Sequence, residues 1–388
     1  MTKTARSFLV TTAIVIGTLN AGAWRADADF VQTNLVSDIQ DLAAITDSSL
    51  VNPWGSSHGP TTPFWISNQV TNTSTLYAVT GSLNTTGSLT VSKNPLTVTI
   101  PTTSPQPPQG PTGQVANFLP DGTISTAFAG NRFIFANLNG TISAWNGVGT
   151  AATVQVPSSG AVYTGLAITQ GAAPRLYAAQ AGGIDVFNSA FQPASLPAGA
   201  FATPGAAAGL VPFNVQNIGG NIFVTYAPAG LTNQRNATPG MGAVAVFDVD
   251  GKFLRMAAVG GPLAAPWGVT LAPAGFGPAS GDLLVGNFSF LHSEINVFDA
   301  MGNFMFTIPI DVGLNNTAGG LWFLGFGTGG NNGLPDTLFF TDGIDGETHG
   351  LFGAISNVPA PIAGAGLPGL VLAGAGLLGW WRRRQKIA

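Results

Sequence analysis

The sequence predicts an all-β fold, a six-bladed β-propeller, and three observations carry that reading. Units of short strands recur at intervals of roughly 50 residues, the spacing of propeller blades with long loops. The motif Pro-Trp-Gly opens two of them, at Pro53-Trp54-Gly55 and Pro266-Trp267-Gly268, with a looser version at Pro111-Thr112-Gly113. The last unit shows one strand too few, and the chain has a strand-like segment to spare near its start.

The clearest unit spans residues 266–306 and reads as four strands, over 267–272, 282–287, 294–299 and 303–308. The third, Glu-Ile-Asn-Val-Phe-Asp, alternates apolar and polar residues as a half-buried strand does. Gly and Pro mark the connections, where positive or fixed φ is needed. One four-stranded sheet cannot bury both of its faces, so it needs neighbours of its own kind. Counterparts of its central strand pair recur at residues 64–79, 133–145, 175–187, 222–253 and 338–355. Six units result, starting near Asn52, Pro111, Tyr163, Val211, Ala265 and Leu321. An irregular β-sandwich or a β-helix is the competing arrangement. The sixth unit has three evident strands, at 321–325, 337–341 and 351–355, and residues 30–37 (FVQTNLVS) are the expected fourth. Closure of that kind pairs edges that would otherwise invite aggregation.

Upstream of this body, residues 1–28 read as a secretory signal. Lys3 and Arg6 form a basic start, residues 8–19 are apolar and uncharged, and Ala26-Asp27-Ala28 matches the small-x-small cleavage pattern. The apolar run is shorter than the about 20 residues a membrane span needs. Composition agrees with export. There is no Cys, hence no disulfide framework and no thiol chemistry. Between residues 29 and 357 six Lys and Arg face sixteen Asp and Glu, a balance of −10. Nucleic acid is thereby excluded as a partner, since phosphate neutralisation needs clustered cations. Residues 91–110 end in a Pro-rich loop, residues 228–241 form a long loop within the fourth unit, and the Ala-, Gly- and Pro-rich residues 194–209 link the third unit to the fourth. No break in composition divides residues 29–357, which read as one repeat domain.

Residues 358–381 contain no charge and are followed at once by Arg382, Arg383 and Arg384. Such a stretch is long enough to cross a bilayer, with the basic cluster on the cytoplasmic side and Trp380-Trp381 at the interface. The motif Val358-Pro359-Ala360-Pro361, the apolar run and the Arg-rich end together resemble the PEP-CTERM sorting signal of Gram-negative, exopolysaccharide-producing bacteria, with Ala360 in place of the usual Glu. That resemblance implies recognition by an exosortase-type membrane protease, a transient inner-membrane anchor, and delivery to the cell surface or extracellular matrix. The body is similar to an uncharacterised bacterial family of secreted proteins, through Asn52-Pro53-Trp54-Gly55, residues 133–136 with 140–143, residues 212–217, and residues 347–353. It implies an NHL-like propeller and no defined activity. Exopolysaccharide or other surface proteins are the partners that fit.

No nucleophile elbow, phosphate loop or HExxH motif is present. In a propeller the ends of the second strands share one face, which here would carry Asn68, Asn137, Gln180, Tyr226, Asn287 and Asp342, with Asn52, Asn117 and Asn214 near the first strands. Oxygen ligands converging there suit Ca²⁺; Asn at a strand end also serves simply as a turn former. His292 and His349 occupy matching places in consecutive units. Residues 341–349, with Asp342, Asp345, Glu347 and His349, form the most polar loop and the first place to seek a site. Asp248-Val249-Asp250-Gly251 sits where a hairpin turn is needed and reads as one. The sequence therefore supports an exported binding or structural protein, with a metal-dependent, lactonase-like hydrolase on the same face as the alternative.

Overall fold

A computed structural model describes residues 29–83, 87–102, 108–158 and 160–358. The leader residues 1–28, and of the tail residues 359–388, lie outside this set, and with them the sorting motif Pro359, Ala360, Pro361, Arg382, Arg383 and Arg384. Among the described residues no helix is long and apolar enough to cross a membrane.

Six sheets follow one another along the chain, antiparallel except where the short strand Ile45–Thr46 joins the sixth in parallel. Their first strands are Pro53–Ser57, Pro111–Ala116, Gly165–Thr169, Val211–Ile218, Pro266–Leu271 and Leu321–Phe326. Each contacts the next, and the last contacts the first, so the ring is closed and the fold is a six-bladed propeller. The unit starts expected from the sequence fall within two residues of these strands.

Burial explains why the strands read as they do. The second strands Phe64–Asn68, Phe133–Asn137, Leu283–Asn287 and Thr337–Asp342 are buried along their whole length. Each lies between two neighbouring blades, so both of its faces are covered and the sequence shows a continuous apolar run. Outer strands are half exposed and more polar; Ser88–Thr99 contains Lys93 and Pro95, both suited to a sheet edge. Blade 3 has three strands among the described residues. Where its outer strand would lie, residues 192–201 cross toward blade 4, and the Phe201 N–H donates to the Gly251 carbonyl at 2.8 Å.

Blade 6 closes as the sequence requires. Asp29–Ser37 pairs antiparallel with Leu351–Val358 over eight aligned positions, from Asp29 with Val358 to Ser37 with Leu351. The clasp continues past the strands: Asp38 accepts from His349 Nδ1 at 2.7 Å and from the Gly350 N–H at 2.8 Å.

The Pro-Trp-Gly motif has a structural cause. Five first strands shift register near their start, a bulge that falls after the first residue in blades 1, 2, 5 and 6 and after the second in blade 4. Beside the bulge, neighbouring first strands pack so tightly that a Cβ on Gly55 would lie 2.6 Å from the Thr112 carbonyl oxygen, and one on Gly268 2.2 Å from that of Trp322. The bulged residues meet one another. Trp54 stacks on Trp322 at 3.6 Å, Trp267 stands edge-on to both, and Phe213 lies 6.0 Å from Trp322. These rings fill the ring's axis on one face and belong to the largest apolar cluster of the domain.

Candidate functional site

Above the aromatic plug lies a cleft of about 680 Å³. It is built from the segments that lead into first strands and those that leave second strands. Asn52, Pro108, Gln109, Val162 and Val211 are of the first kind; Gln69, Val70, Leu138, Arg235 and Glu347 are of the second. Trp54 and Phe213 form part of its lining. The walls are mostly apolar, with amides and one ion pair among them.

Polar side chains along the cleft form a continuous chain. Trp322 Nε1 donates to Asn52 Oδ1 at 3.1 Å. Asn52 Nδ2 donates to Gln69 Oε1 at 3.0 Å and to Glu347 Oε1 at 3.2 Å. Gln69 Nε2 donates to the Gln109 carbonyl at 2.6 Å. Arg235 donates to Glu347 Oε2 from Nε at 2.9 Å and again from Nη2. Burial pushes the Glu347 carboxyl above the usual carboxylate range, although Arg235 and Asn52 pull it down.

Local backbone strain places this carboxylate. Asp345, Gly346 and Glu347 have φ of 52°, 67° and 69°, three left-handed residues in a row. Glycine adopts this region freely and Asp tolerates it; Glu does so at a cost. Asp345 is pinned by the Thr317 N–H at 2.6 Å, and its own N–H donates to the Thr317 carbonyl. On the other side, the short helix Leu231–Arg235 lies in the long loop of blade 4. The Arg235 carbonyl accepts from the Phe290 N–H at 3.0 Å, and its guanidinium lies 5.3 Å from the Phe290 ring. The loops of blades 4 and 6 thus meet across blade 5.

Of the residues singled out in the sequence, Glu347 and Asn52 enter the cleft. The others have identifiable places. Asn68 donates to Thr73 and Thr75 within its own hairpin. Asn137 Oδ1 accepts from the N–H groups of Gly110 and Asn139. Asn287 Oδ1 accepts from the Ala264 N–H, and its Nδ2 donates to the Pro262 carbonyl. Asn137 and Asn287 therefore tie the end of a second strand to the segment entering the first. At the matching position of blade 6, Asp342 is fully buried, and burial pushes it up to about 7 although the Gly319 backbone N–H pulls it down. Aromatic rings, not amide oxygens, occupy the axis at this level, because the first-strand bulge aims them there. His349 belongs to the ring-closing clasp with Asp38. Asn117 follows a first strand and so faces the opposite side, where it donates to the Ala127 and Asn131 carbonyls. Asn214 Nδ2 donates to the Trp267 carbonyl beneath the plug. Asp248 forms the expected hairpin turn, accepting from the N–H groups of Asp250 and Lys252.

Arg235, Gln69 and Gln109 went unread in the sequence. Arg235 alone carried a signal, as one of only six cations in the body and set within a long loop.

On the opposite face the axis opens into a second cavity of about 500 Å³, lined by all six blades and by no Asp, Glu, Lys or Arg. His58, at its edge, lies within hydrogen-bond distance of the Gly59 and Phe326 carbonyls, and burial lowers its pKa.

No protein-family profile matches the chain. Two uncharacterised proteins of Acanthamoeba polyphaga mimivirus are similar to it. One is 28% identical over 359 residues, covering 86% of this chain and 87% of its own length. The other is 29% identical over 356 residues, covering 86% and 82%. Among solved structures, virginiamycin B lyase from Staphylococcus aureus aligns with a TM-score of 0.44 at 12% identity, covering 84% of this chain and 99% of its own. A streptogramin B lyase structure aligns with a TM-score of 0.41 at 13% identity, covering 86% and 98%.

Proposed function

We propose that the protein is an exported binding protein that holds a small, neutral, largely apolar ligand in the cleft above the aromatic plug. The observation that carries this reading is the cleft's chemistry. Its one carboxylate and its one guanidinium are already paired, so neither an anion nor a cation finds an unopposed charge there. Val70, Leu138, Val162, Pro212 and Leu231 offer apolar wall, while Gln69, Gln109 and Gln234 offer hydrogen bonds to a polar edge. The Trp54 indole N–H, buried beside the cleft, has no partner among the described residues and would donate to a carbonyl or hydroxyl oxygen of the ligand. Metal-dependent hydrolysis on the same face would need Glu347 free to hold a Ca²⁺ ion or a water, and Arg235 engages it.

The leader pattern of residues 1–28 and the tail of residues 358–388 support export, a transient inner-membrane anchor and exosortase-type sorting to a bacterial cell surface. Exopolysaccharide and surface proteins are the surroundings in which such a protein would work.

The test is a fluorescence titration with the neutral probe N-phenyl-naphthylamine. Saturable binding at one site is expected, abolished by Val70→Arg and by Leu231→Arg, both exposed positions on the cleft wall. Binding unchanged in both variants would remove the cleft as the site.

A further inference from the structure

The direction of the strands fixes which side of the propeller each chain end leaves. First strands run away from the cleft: Asn52 lines the cleft, and Ser57 lines the cavity on the opposite face. Second strands return, since Gln69, which follows Asn68, is again at the cleft. The third strand of blade 6 follows the cleft residue Glu347 and so leads away, ending at Val358. Val358 is in register with Asp29. The chain therefore enters and leaves the body side by side, on the face opposite the cleft.

That exit point adjoins an apolar surface. Phe30, one residue into the closing strand, stacks at 6.0 Å on Phe306 in the outer strand of blade 5. Gln32 and Asp311 exchange two hydrogen bonds, fixing the closing pair against that blade. Further along the same strand and its turn, Phe304, Met305 and Met301 are exposed, Met301 by 77%. Leu271, at the far end of the first strand of blade 5, and Val31, in the closing strand, are exposed as well. Bulky apolar side chains at hairpin tips and on an edge strand mark a contact surface. What covers it is indicated by where the chain goes next, since the 24 residues from 358 onward carry no charge and are long enough to cross a bilayer.

We propose that the side of blades 5 and 6 from which both chain ends leave is a lipid-contacting surface, with Met301, Phe304 and Met305 entering the interface and the cleft turned away from the membrane. The proposal rests on the reading of the tail as a membrane segment. It commits to a bilayer with little anionic lipid, because Asp282, between the first and second strands of blade 5, and Asp299, between its third and fourth, lie at the same end of that blade. An anchored protein built this way keeps its cleft open to ligand.

The absence of cysteine makes the test direct, because single Cys variants can be labelled without background. The full chain is reconstituted into phosphatidylcholine vesicles with a fluorophore at Met301→Cys, Met305→Cys, Val70→Cys or Leu231→Cys, and quenching by spin-labelled lipid is measured after flotation. The expected result is strong quenching at 301 and 305 and little at 70 and 231. Flotation with equal or absent quenching at all four sites overturns the lipid-contacting surface while leaving the anchor intact. A chain that does not float overturns the anchor and the surface together.

Discussion

The two faces of the propeller use acidic residues in opposite ways. Away from the cleft, Asp248 and Asp299 close hairpins between third and fourth strands. Each carboxylate accepts N–H groups two and four residues ahead. Such bonds are local, and hydrogen bonds within the turn, the Asn303 side chain foremost, hold the Asp299 carboxyl below its usual range. On the cleft face, Glu347 is buried in a left-handed backbone and answered by Arg235, 112 residues away in sequence. The Asp248 and Asp299 carboxylates each serve a single hairpin. The cleft carboxylate joins two blades, and its burial is a cost the two turn carboxylates do not bear. A buried charge that the fold alone does not require is what marks the cleft as the candidate functional region.

Substitutions can break or sharpen that contrast. The largest effect should come from the plug on which the cleft rests. Trp322→Ala removes a fully buried ring together with the hydrogen bond to Asn52, and should cost about 3–5 kcal/mol in denaturant unfolding. Next is Asp342→Asn. The folded-state pKa of Asp342 is raised from 3.8 to about 7, so its contribution to stability is full below pH 4 and is lost as pH rises through 7. The Asn variant should match the parent near pH 4 and exceed it at pH 8, by at most roughly 4 kcal/mol. Parallel stability–pH curves for the two proteins would contradict this. Arg235→Met strands the buried Glu347 and should cost about 3 kcal/mol, while the double variant with Glu347→Gln should recover most of that loss. Asp299→Ala on the far face should have the smallest effect of the four in denaturant unfolding and leave the cleft untouched. Should Asp299→Ala instead weaken ligand binding as much as Arg235→Met does, the two faces would not be independent.

Asp47, between the closing strand and the first strand of blade 1, pairs with Lys93 Nζ at 2.7 Å and accepts from the Tyr77 hydroxyl at 2.6 Å, and loss of these bonds should lower stability in acid. Burial alone would raise the Asp47 carboxyl, but hydrogen bonds from Lys93, Tyr77 and the Ser49 N–H outweigh it and lower the pKa. Its contribution is present above the ordinary Asp value and is lost as pH falls through the folded value.

Much of the fold could be read from the sequence because blades repeat. Continuous apolar runs such as Phe133–Asn137 arise wherever a strand is covered on both faces, and Pro-Trp-Gly marks two of the five first strands that bulge beside a neighbour, those of blades 1 and 5. The closing strand was legible for the same reason, as a unit short of one strand implies another segment to complete it. The cleft was legible only in part. Glu347 stood out as one of two Glu in the chain. Its partner could not be inferred, because nothing local in the sequence couples a loop of blade 4 to a loop of blade 6. Nor do Asn68, Asn137 and Asn287 differ in type from Asn52, although only Asn52 reaches the cleft. What separates them is the left-handed backbone at Asn52, with φ of 45°, and the Trp322 indole beneath it.

The central claim is that the cleft, its charges already paired, selects a neutral ligand. The most direct measurement compares two probes that share an arylamine-naphthalene body and differ in charge, N-phenyl-naphthylamine and anilinonaphthalene sulfonate, titrated into the same protein at low ionic strength. The account predicts that the neutral probe binds at least about tenfold more tightly, a difference of roughly 1.4 kcal/mol, and that Leu231→Arg abolishes its binding. Equal affinities, or tighter binding of the sulfonate, would mean that Arg235 is free to meet an anion, and would contradict it.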